Sequence, residues 1–197
     1  MGGTDVRPYL KQLEFDELNF LSKYIAAKIP KGSTKKKLVD ILYSHHMSKR
    51  DIVSFLGKPK GRTGIFAKYD GESYEKKVSN HFQVQTKYTC TLNQRTRGTE
   101  FDVVCEKGRN LYRALSNKKF IVIECKNTPI VTNQDLQKFA GKFNGFKNAN
   151  KDKVSAHLYE AEDDAFKGYI VTSGIFEPLA LEEAKKHPDI ELKRLRF

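Results

Sequence analysis

The sequence predicts an α/β protein with a mixed sheet flanked by helices (an αβββαβ core), preceded by a small three-helix domain. Three observations support this prediction. Residues 1–57 repeat apolar side chains at helical spacing, and residues 71–197 alternate helical segments with short β-rich ones. The segment FIVIECKN is almost continuously apolar, which is typical of a central strand covered on both faces.

Residues 1–57 are predicted to form three helices. The first, LEFDELNFLSKYIAAKI, has an apolar stripe at spacings of three and four, formed by Leu18, Leu21, Ile25 and Ile29. Pro30 ends it. Ser33 or Thr34 can cap the second helix, KKKLVDILYSHH, and Ser48 can cap the third, KRDIVSFL.

Residues 58–70 are predicted to be a linker, because GKPKGRTGIFAKYDG is rich in glycine and has little periodicity. The basic residues of this segment could lie along a nucleic-acid backbone; they are Lys58, Lys60 and Arg62.

The second predicted domain has the order α-β-β-β-α-β-α-β, which gives a mixed sheet flanked by helices. The helix GESYEKKVSNHF is followed by the strands QVQTKYTCTL, GTEFDVVCEKG and FIVIECKN, and then by the helix NQDLQKFAGKFNGF. After a polar segment come the strand GYIVTSG, the helix EPLALEEAKKH and a last strand, IELKRLRF.

The charge and composition of the chain indicate which class of molecule it binds. Lys and Arg outnumber Asp and Glu by 36 to 24, and the net charge of +12 favours a polyanionic partner such as DNA. The alternative is a solvated, lysine-rich surface with no nucleic acid. No apolar run approaches the ~20 residues that span a bilayer, and the N-terminus lacks a secretory pattern.

The cysteines suggest a reducing compartment. Cys90, Cys105 and Cys125 are odd in number and lack paired spacing, which argues against a disulfide framework or a zinc site. We therefore expect a soluble, cytoplasmic protein that does not bind membranes.

The strand FIVIECKN carries charges where a core strand normally has none. Side chains alternate along a strand, so Val122, Glu124 and Lys126 share one face. If the preceding strand pairs with this one, Asp102 and Glu124 converge at one end of the sheet. Two carboxylates near a main-chain carbonyl are suitable ligands for Mg²⁺, and Lys126 could orient or deprotonate a water.

A simple salt bridge is the alternative explanation, because Glu-x-Lys is a common tripeptide. Three features favour catalysis: the strongly apolar strand, Asp102 on the strand before it, and the basic net charge.

The spacing of Asp102, Glu124 and Lys126 resembles the PD-(D/E)xK nuclease motif, and its surroundings are similar to the Mrr-type restriction endonuclease catalytic domain. That domain has an aromatic-Glu pair on its first helix, matched by Tyr74-Glu75, and a Gly-x-x-hydrophobic-Asp segment, matched by GTEFD. The later segment IVTSG, followed by a helix, also matches. The resemblance implies a restriction-endonuclease-like fold over roughly residues 71–197.

The same resemblance implies roles for individual residues. Asp102, Glu124 and the main-chain carbonyl of Cys125 would bind Mg²⁺, with Mn²⁺ able to substitute. Glu75 would be an accessory acidic residue, and Gln137 a polar side chain reaching the site from the following helix. DNA would be the substrate, and cutting two strands would favour a homodimer.

The N-terminal segment ELNFLSKYIAAKIPKGSTKKKLVDIL is similar to the SAP DNA-binding module. That resemblance implies phosphate contacts for Lys35, Lys36 and Lys37. A purely structural bundle with a solvated lysine face is the equal alternative.

Three functions follow from these observations. The first is a Mg²⁺-dependent DNA endonuclease, and its rival among enzymes is a Holliday junction resolvase with the same Asp…Glu-x-Lys core. The third is a nucleic-acid-binding protein that has lost catalysis, which the intact triad disfavours.

Overall fold

The computed structural model of the protein describes residues 5–57, 71–107, 119–151, 154 and 165–197. Within these ranges, no helix combines the length and the apolar composition needed to cross a membrane. The helices are α1 (Arg7–Lys11), α2 (Phe15–Tyr24), α3 (Lys35–Ser44), α4 (Lys49–Leu56), α5 (Gly71–Thr86), α6 (Asn133–Asn150) and α7 (Pro178–Ala184). The strands are β1 (Thr89–Thr96), β2 (Thr99–Glu106), β3 (Phe120–Lys126), β4 (Ile130–Val131), β5 (Phe166–Thr172), β6 (Ile175–Phe176) and β7 (Ile190–Arg194).

The three predicted N-terminal helices are present as α2, α3 and α4, and the described residues contain one more helix before them. The additional helix, α1, is only five residues long, which is too short to show an apolar period. Helix α2 is shorter than predicted and ends at Tyr24, because Ala26 takes a left-handed φ of 54°. Ile25 and Ile29 lie beyond it but still pack against the helical core.

Two predicted helix caps are confirmed. The Thr34 hydroxyl accepts a hydrogen bond from the Lys37 amide at 3.3 Å, which selects Thr34 over Ser33 as the cap of α3. The Ser48 hydroxyl accepts from the Asp51 amide at 3.2 Å, and the Asp51 carboxylate accepts from the Ser48 amide at 2.8 Å. These bonds satisfy amides that the first turn of a helix leaves without partners.

The predicted mixed sheet is confirmed, and within the described part of the chain its five strands have the order β1-β2-β3-β5-β7. The first two pairings are antiparallel, and β3-β5 and β5-β7 are parallel. Strand β1 begins at Thr89, later than predicted, because α5 continues to Thr86 and Lys87 then takes a φ of 58°. The two-residue strands β4 and β6 pair in a separate small sheet that the sequence did not reveal.

The predicted faces of β3 are confirmed by its packing. Val122 packs on the α6 side of the sheet, whereas Ile121 and Ile123 pack on the α5 side. Four apolar residues of α6, at spacings of one, three and four, are buried there: Leu136, Phe139, Ala140 and Phe143.

The helical region and the sheet region share a core. Ile175 of β6 is fully buried among the N-terminal helices, and Ile130 packs partly against them. The Gln12 side chain donates to the Phe176 carbonyl at 2.8 Å and accepts from the Phe176 amide at 2.8 Å. The predicted linker, residues 58–70, lies outside the described residues, so the domain boundary there stays a prediction.

The expectation of unpaired cysteines was wrong for two of the three. Cys90 and Cys105 form a disulfide between β1 and β2, where the strand register places them directly opposite each other. Their separation of 15 residues carries no sequence signal for this pairing, because it depends on the hairpin register. Cys125 is free.

Candidate active site

The structure brings Asp102 and Glu124 to the same end of the sheet. Val103 pairs with Ile123 as the last pair of the antiparallel β2-β3 register, so Asp102 and Glu124 are the next residues on the two adjacent strands. The Asp102 Oδ2 atom accepts a hydrogen bond from the Cys125 amide at 2.6 Å. The convergence predicted from the two strand patterns is therefore present in the structure.

The sheet is irregular at this point. Phe101 and Val104 both pack on the α6 side, although side chains three residues apart on a regular strand face opposite sides. On β1, the residue opposite Asp102 is Asn93, which has a left-handed φ of 50°. Asparagine tolerates this conformation better than most residues. The kink in the hairpin therefore coincides with the aspartate of the site.

Glu124 is a buried carboxylate held by two lysines. It is 6% exposed, and Lys126 Nζ donates to its Oε1 at 2.8 Å. The second lysine, Lys142 of α6, lies 3.1 Å from Oε2 and 3.4 Å from Oε1. Sequence reasoning missed Lys142. It borders the apolar face of α6, but so do other lysines of that helix, and the pattern does not say which one faces the sheet.

The charges of the site act on one another. Burial and the negative charge of Glu124 raise the pKa of the Asp102 carboxyl above its ordinary range. Burial lowers the pKa of Lys126, but its hydrogen bond and ion pair with Glu124 outweigh this effect, so the pKa is raised. Lys126 is therefore a protonated hydrogen-bond donor in this arrangement.

Cys125 separates the two charged residues of β3 along the chain but belongs to the α5 side of the sheet. Burial, followed by the charge of Asp102, raises the pKa of its thiol. The thiol therefore stays protonated, and its main-chain carbonyl is the atom of this residue suited to a hard cation.

Of the remaining predicted site residues, one faces this cluster and the others are exposed or lie outside the described residues. Glu75 of α5 is half-buried, and its charge contributes to the raised pKa of the Cys125 thiol, so it faces the same region. Gln137 is exposed on α6. It is five positions from Lys142, about 140° around a helix, and its role stays a prediction. The three lysines that begin α3 are exposed: Lys35, Lys36 and Lys37. Lys58, Lys60 and Arg62 lie outside the described residues.

The end of β5 fixes the strand that carries Lys126. The buried Thr172 hydroxyl donates to the Lys126 carbonyl at 2.8 Å, and the Ser173 hydroxyl donates to Asn127 Oδ1 at 3.2 Å. A Cβ at Gly174 would lie 2.2 Å from the Thr128 carbonyl oxygen, so the chain fits here only as glycine. The segment Thr172–Gly174 thus braces the chain immediately after the Glu-x-Lys strand.

The donor set fits a hard divalent cation. Among the described residues, no three or more His, Cys, Asp or Glu side chains converge as a metal-binding group. Mg²⁺, however, is commonly held by one or two carboxylates and completes its shell with water. The negative charge of Glu124 also contributes to the raised pKa of the Asp102 carboxyl, a repulsion that a bound cation would relieve.

No family model matches the chain, and no curated protein matches it. Seven chains of solved structures are similar to it. One is a protein of unknown function, with 19% identity, a TM-score of 0.41 and coverage of 61% of this chain and 57% of the other. A repair endonuclease from Pyrococcus abyssi has 13% identity and a TM-score of 0.40, over 66% of this chain and 49% of that one.

A complex of EndoMS with double-stranded DNA has 11% identity and a TM-score of 0.41, over 62% of this chain and 44% of that one. The chain thus spans about half the length of these three structures. At these identities and TM-scores, function has to be inferred from the chemistry of the site.

Proposed function

We propose that the protein is a metal-dependent DNA endonuclease of the PD-(D/E)xK type, related to the Mrr-type catalytic domain. The observation that carries this proposal is the meeting of Asp102, Glu124 and Lys126 at one end of the sheet. A charge cluster buried at the end of an apolar strand contributes less to stability than well-packed apolar residues would, which supports a functional rather than a structural reading.

Asp102, Glu124 and the main-chain carbonyl of Cys125 would hold Mg²⁺, and Mn²⁺ would substitute for it. When bound, such a cation supplies Lewis-acid polarisation of a phosphoryl oxygen and lowers the pKa of a bound water. The carboxylates must be ionised to act as ligands, and the raised pKa of Asp102 sets the acid limit of that requirement.

The reaction we infer is hydrolysis of a phosphodiester bond. The oxygen of a water forms a bond to phosphorus as the bond between phosphorus and the 3′ oxygen breaks. The attacking water releases one proton to solvent and the leaving oxygen takes one up, which yields a 5′ phosphate and a 3′ hydroxyl. Lys126 carries a protonated ammonium 2.8 Å from Glu124, so it orients the water by donating hydrogen bonds and stabilises the charge developing on phosphorus.

DNA is the proposed substrate because its charge complements that of the protein. The net charge of +12 favours a polyanion, and the exposed Lys35, Lys36 and Lys37 are available for phosphate contacts. Glu75 and Gln137 are proposed as accessory residues. Cleavage of both strands would require a second active site, which a homodimer would supply.

Plasmid nicking tests this proposal. Wild-type protein and the variants Glu124→Gln and Glu182→Gln are incubated with supercoiled DNA in Mg²⁺ or in EDTA. Glu182 is a matched control because its side chain is 68% exposed and forms a surface ion pair with Lys185. We expect nicking that requires Mg²⁺, loss of about 10³-fold in rate for Glu124→Gln, and wild-type rates for Glu182→Gln.

Equal nicking by wild type and Glu124→Gln would contradict the proposed site and indicate a contaminating nuclease. Tight DNA binding without any cleavage in Mg²⁺ or Mn²⁺ would instead favour a binding protein. A four-way junction included beside linear duplex separates an endonuclease from a junction resolvase by the substrate that is cut faster.

A further inference from the structure

We propose that Lys142 competes with the divalent cation for Glu124, so that cation binding displaces its ammonium group. This inference rests on the proposed function, because it assumes that Glu124 is a metal ligand. It adds a regulatory role for a residue on α6 that lies outside the Asp…Glu-x-Lys motif.

Both carboxylate oxygens of Glu124 already have positively charged partners. Lys126 Nζ lies 2.8 Å from Oε1, and Lys142 Nζ lies 3.1 Å from Oε2. Each oxygen of the carboxylate therefore already has an ammonium within hydrogen-bond distance. A cation that takes either oxygen as a ligand must share it with a positive charge or replace that charge.

The charges around Glu124 oppose the entry of a cation. Asp102 and Glu124 carry two negative charges when ionised, and Lys126 and Lys142 carry two positive ones. These four groups balance one another without a cation, so a cation that binds Glu124 enters next to two ammonium groups that already contact its ligand. Because charges in a partly buried site interact strongly, binding is easier if one ammonium moves away.

The two lysines differ in how freely their side chains can move. Lys126 lies two residues from Glu124 on the same strand, and its carbonyl is held by Thr172 at 2.8 Å. Lys142 approaches from a different element, α6, and its side chain is 38% exposed against 27% for Lys126. Lys142 therefore has open solvent to move into, and its ammonium is the one that a cation displaces.

Mn²⁺ titration of the full chain without DNA tests the proposal, followed by calorimetry or by the electron paramagnetic resonance signal of free Mn²⁺. We expect Lys142→Met to bind Mn²⁺ roughly tenfold more tightly than wild type, since a competing charge is removed and solvent screens part of its effect. Lys142→Arg keeps the charge, so it should stay much closer to wild type than Lys142→Met.

Lys138→Met is the matched control, because Lys138 is exposed one turn earlier on the same helix. It should bind Mn²⁺ with wild-type affinity. Unchanged affinity in Lys142→Met would overturn the proposal and leave Lys142 as a surface ion pair. Weaker binding would also overturn it, since Lys142 would then hold Glu124 in the geometry that the metal needs.

Thermal unfolding provides a second measurement of the same competition. Lys142→Met should lower the melting temperature in EDTA, where Lys142 neutralises Glu124, and should show a larger increase on Mn²⁺ addition than wild type. Equal increases would contradict the proposal. A wild-type protein that binds no Mn²⁺ at all would instead refute the proposed function, which distinguishes the two failures.

Discussion

Two buried glutamates of this protein each pair with two basic residues. The segment Thr172–Gly174 lies between the two clusters. Glu17 of α2 is fully buried, and its carboxylate pairs with Arg194 and Arg196. Glu124 of β3 is 6% exposed and pairs with Lys126 and Lys142. The composition of the two clusters is nearly the same, but the chemistry of the basic group differs.

The arginine side chains hold the Glu17 carboxylate in a fixed geometry. Arg194 donates from both terminal nitrogens of its guanidinium to the two carboxylate oxygens, and it also donates to the Gln12 carbonyl at 2.8 Å. Such planar, bidentate pairing is stronger and more directional than a contact with an ammonium. Lysine is a point charge on a flexible stem, so the Glu124 cluster can exchange partners. Similar charge clusters thus suit a structural joint in one case and the proposed metal site in the other.

The segment Thr172–Gly174 connects the Glu124 cluster to the Glu17 cluster. The Thr172 hydroxyl donates to the Lys126 carbonyl, and Arg194 Nε donates to the Gly174 carbonyl at 2.6 Å. The contacts that join the helices to the sheet at Glu17 are therefore linked by hydrogen bonds to the residues that follow β3.

The largest effect on stability is expected from breaking the Glu17 cluster. Glu17→Gln leaves two guanidinium groups without their carboxylate, and we expect a loss of about 3–5 kcal/mol in the free energy of unfolding, measured by urea denaturation. Glu182→Gln, at an exposed ion pair, should change this quantity by less than about 1 kcal/mol. A small loss for Glu17→Gln would show that the joint contributes little to stability.

The segment between the clusters should be sensitive to volume. Gly174→Ala would place a methyl group against main-chain atoms of Thr128 and Pro129, and we expect a loss of about 1–3 kcal/mol in the free energy of unfolding. Gly141→Ala is the control, because a Cβ there meets no atom within 4 Å in α6. It should stabilise the protein by about 0.5–1 kcal/mol. Equal effects of the two substitutions would contradict the close approach at Gly174.

Position 93, at the kink opposite Asp102, should accept only small or polar residues without a loss of stability. Asn93→Val forces a β-branched side chain into a left-handed conformation, so we expect a loss of about 1–2 kcal/mol in stability. Asn93→Gly should be close to neutral. Chemical denaturation of both variants measures the difference, and equal stabilities would show that the hairpin relaxes to a regular strand.

The smallest effect is the pH dependence that Asp102 contributes without metal. Because the pKa of its carboxyl is raised by folding, its stabilising contribution is present below about pH 4 and is lost as the pH rises through the raised pKa. In EDTA, the unfolding free energy of wild type relative to Asp102→Asn should therefore fall across that window. Saturating Mn²⁺ should oppose the trend at the upper end, and a rise in EDTA would contradict the direction of the shift.

The Glu124 cluster was largely predictable from the sequence, whereas the Glu17 cluster was not. Glu124 and Lys126 are two residues apart on an apolar strand, and alternation alone puts them on one face. Glu17 and Arg194 are 177 residues apart, and nothing in either local pattern connects them. Lys142 and the disulfide partners Cys90 and Cys105 were missed for the same reason, since each depends on how two elements pack or pair.

The order of helices and strands from residue 71 onward followed from periodicity, and the caps at Thr34 and Ser48 followed from short-range hydrogen bonding. The elements that escaped prediction, α1, β4 and β6, are two to five residues long and contain less than one full period of any pattern. Local rules are therefore informative for long elements and for residues within one element.

The shared core also determines the smallest part of this chain that can fold by itself. A chain cut at residue 71 would bare Ile175, which is fully buried under the N-terminal helices, and would leave Arg194 and Arg196 without Glu17. Expression of the sheet half alone should yield an aggregating fragment rather than a minimal enzyme. Shortening or grafting this protein therefore has to keep the first helices, although the proposed chemistry lies elsewhere.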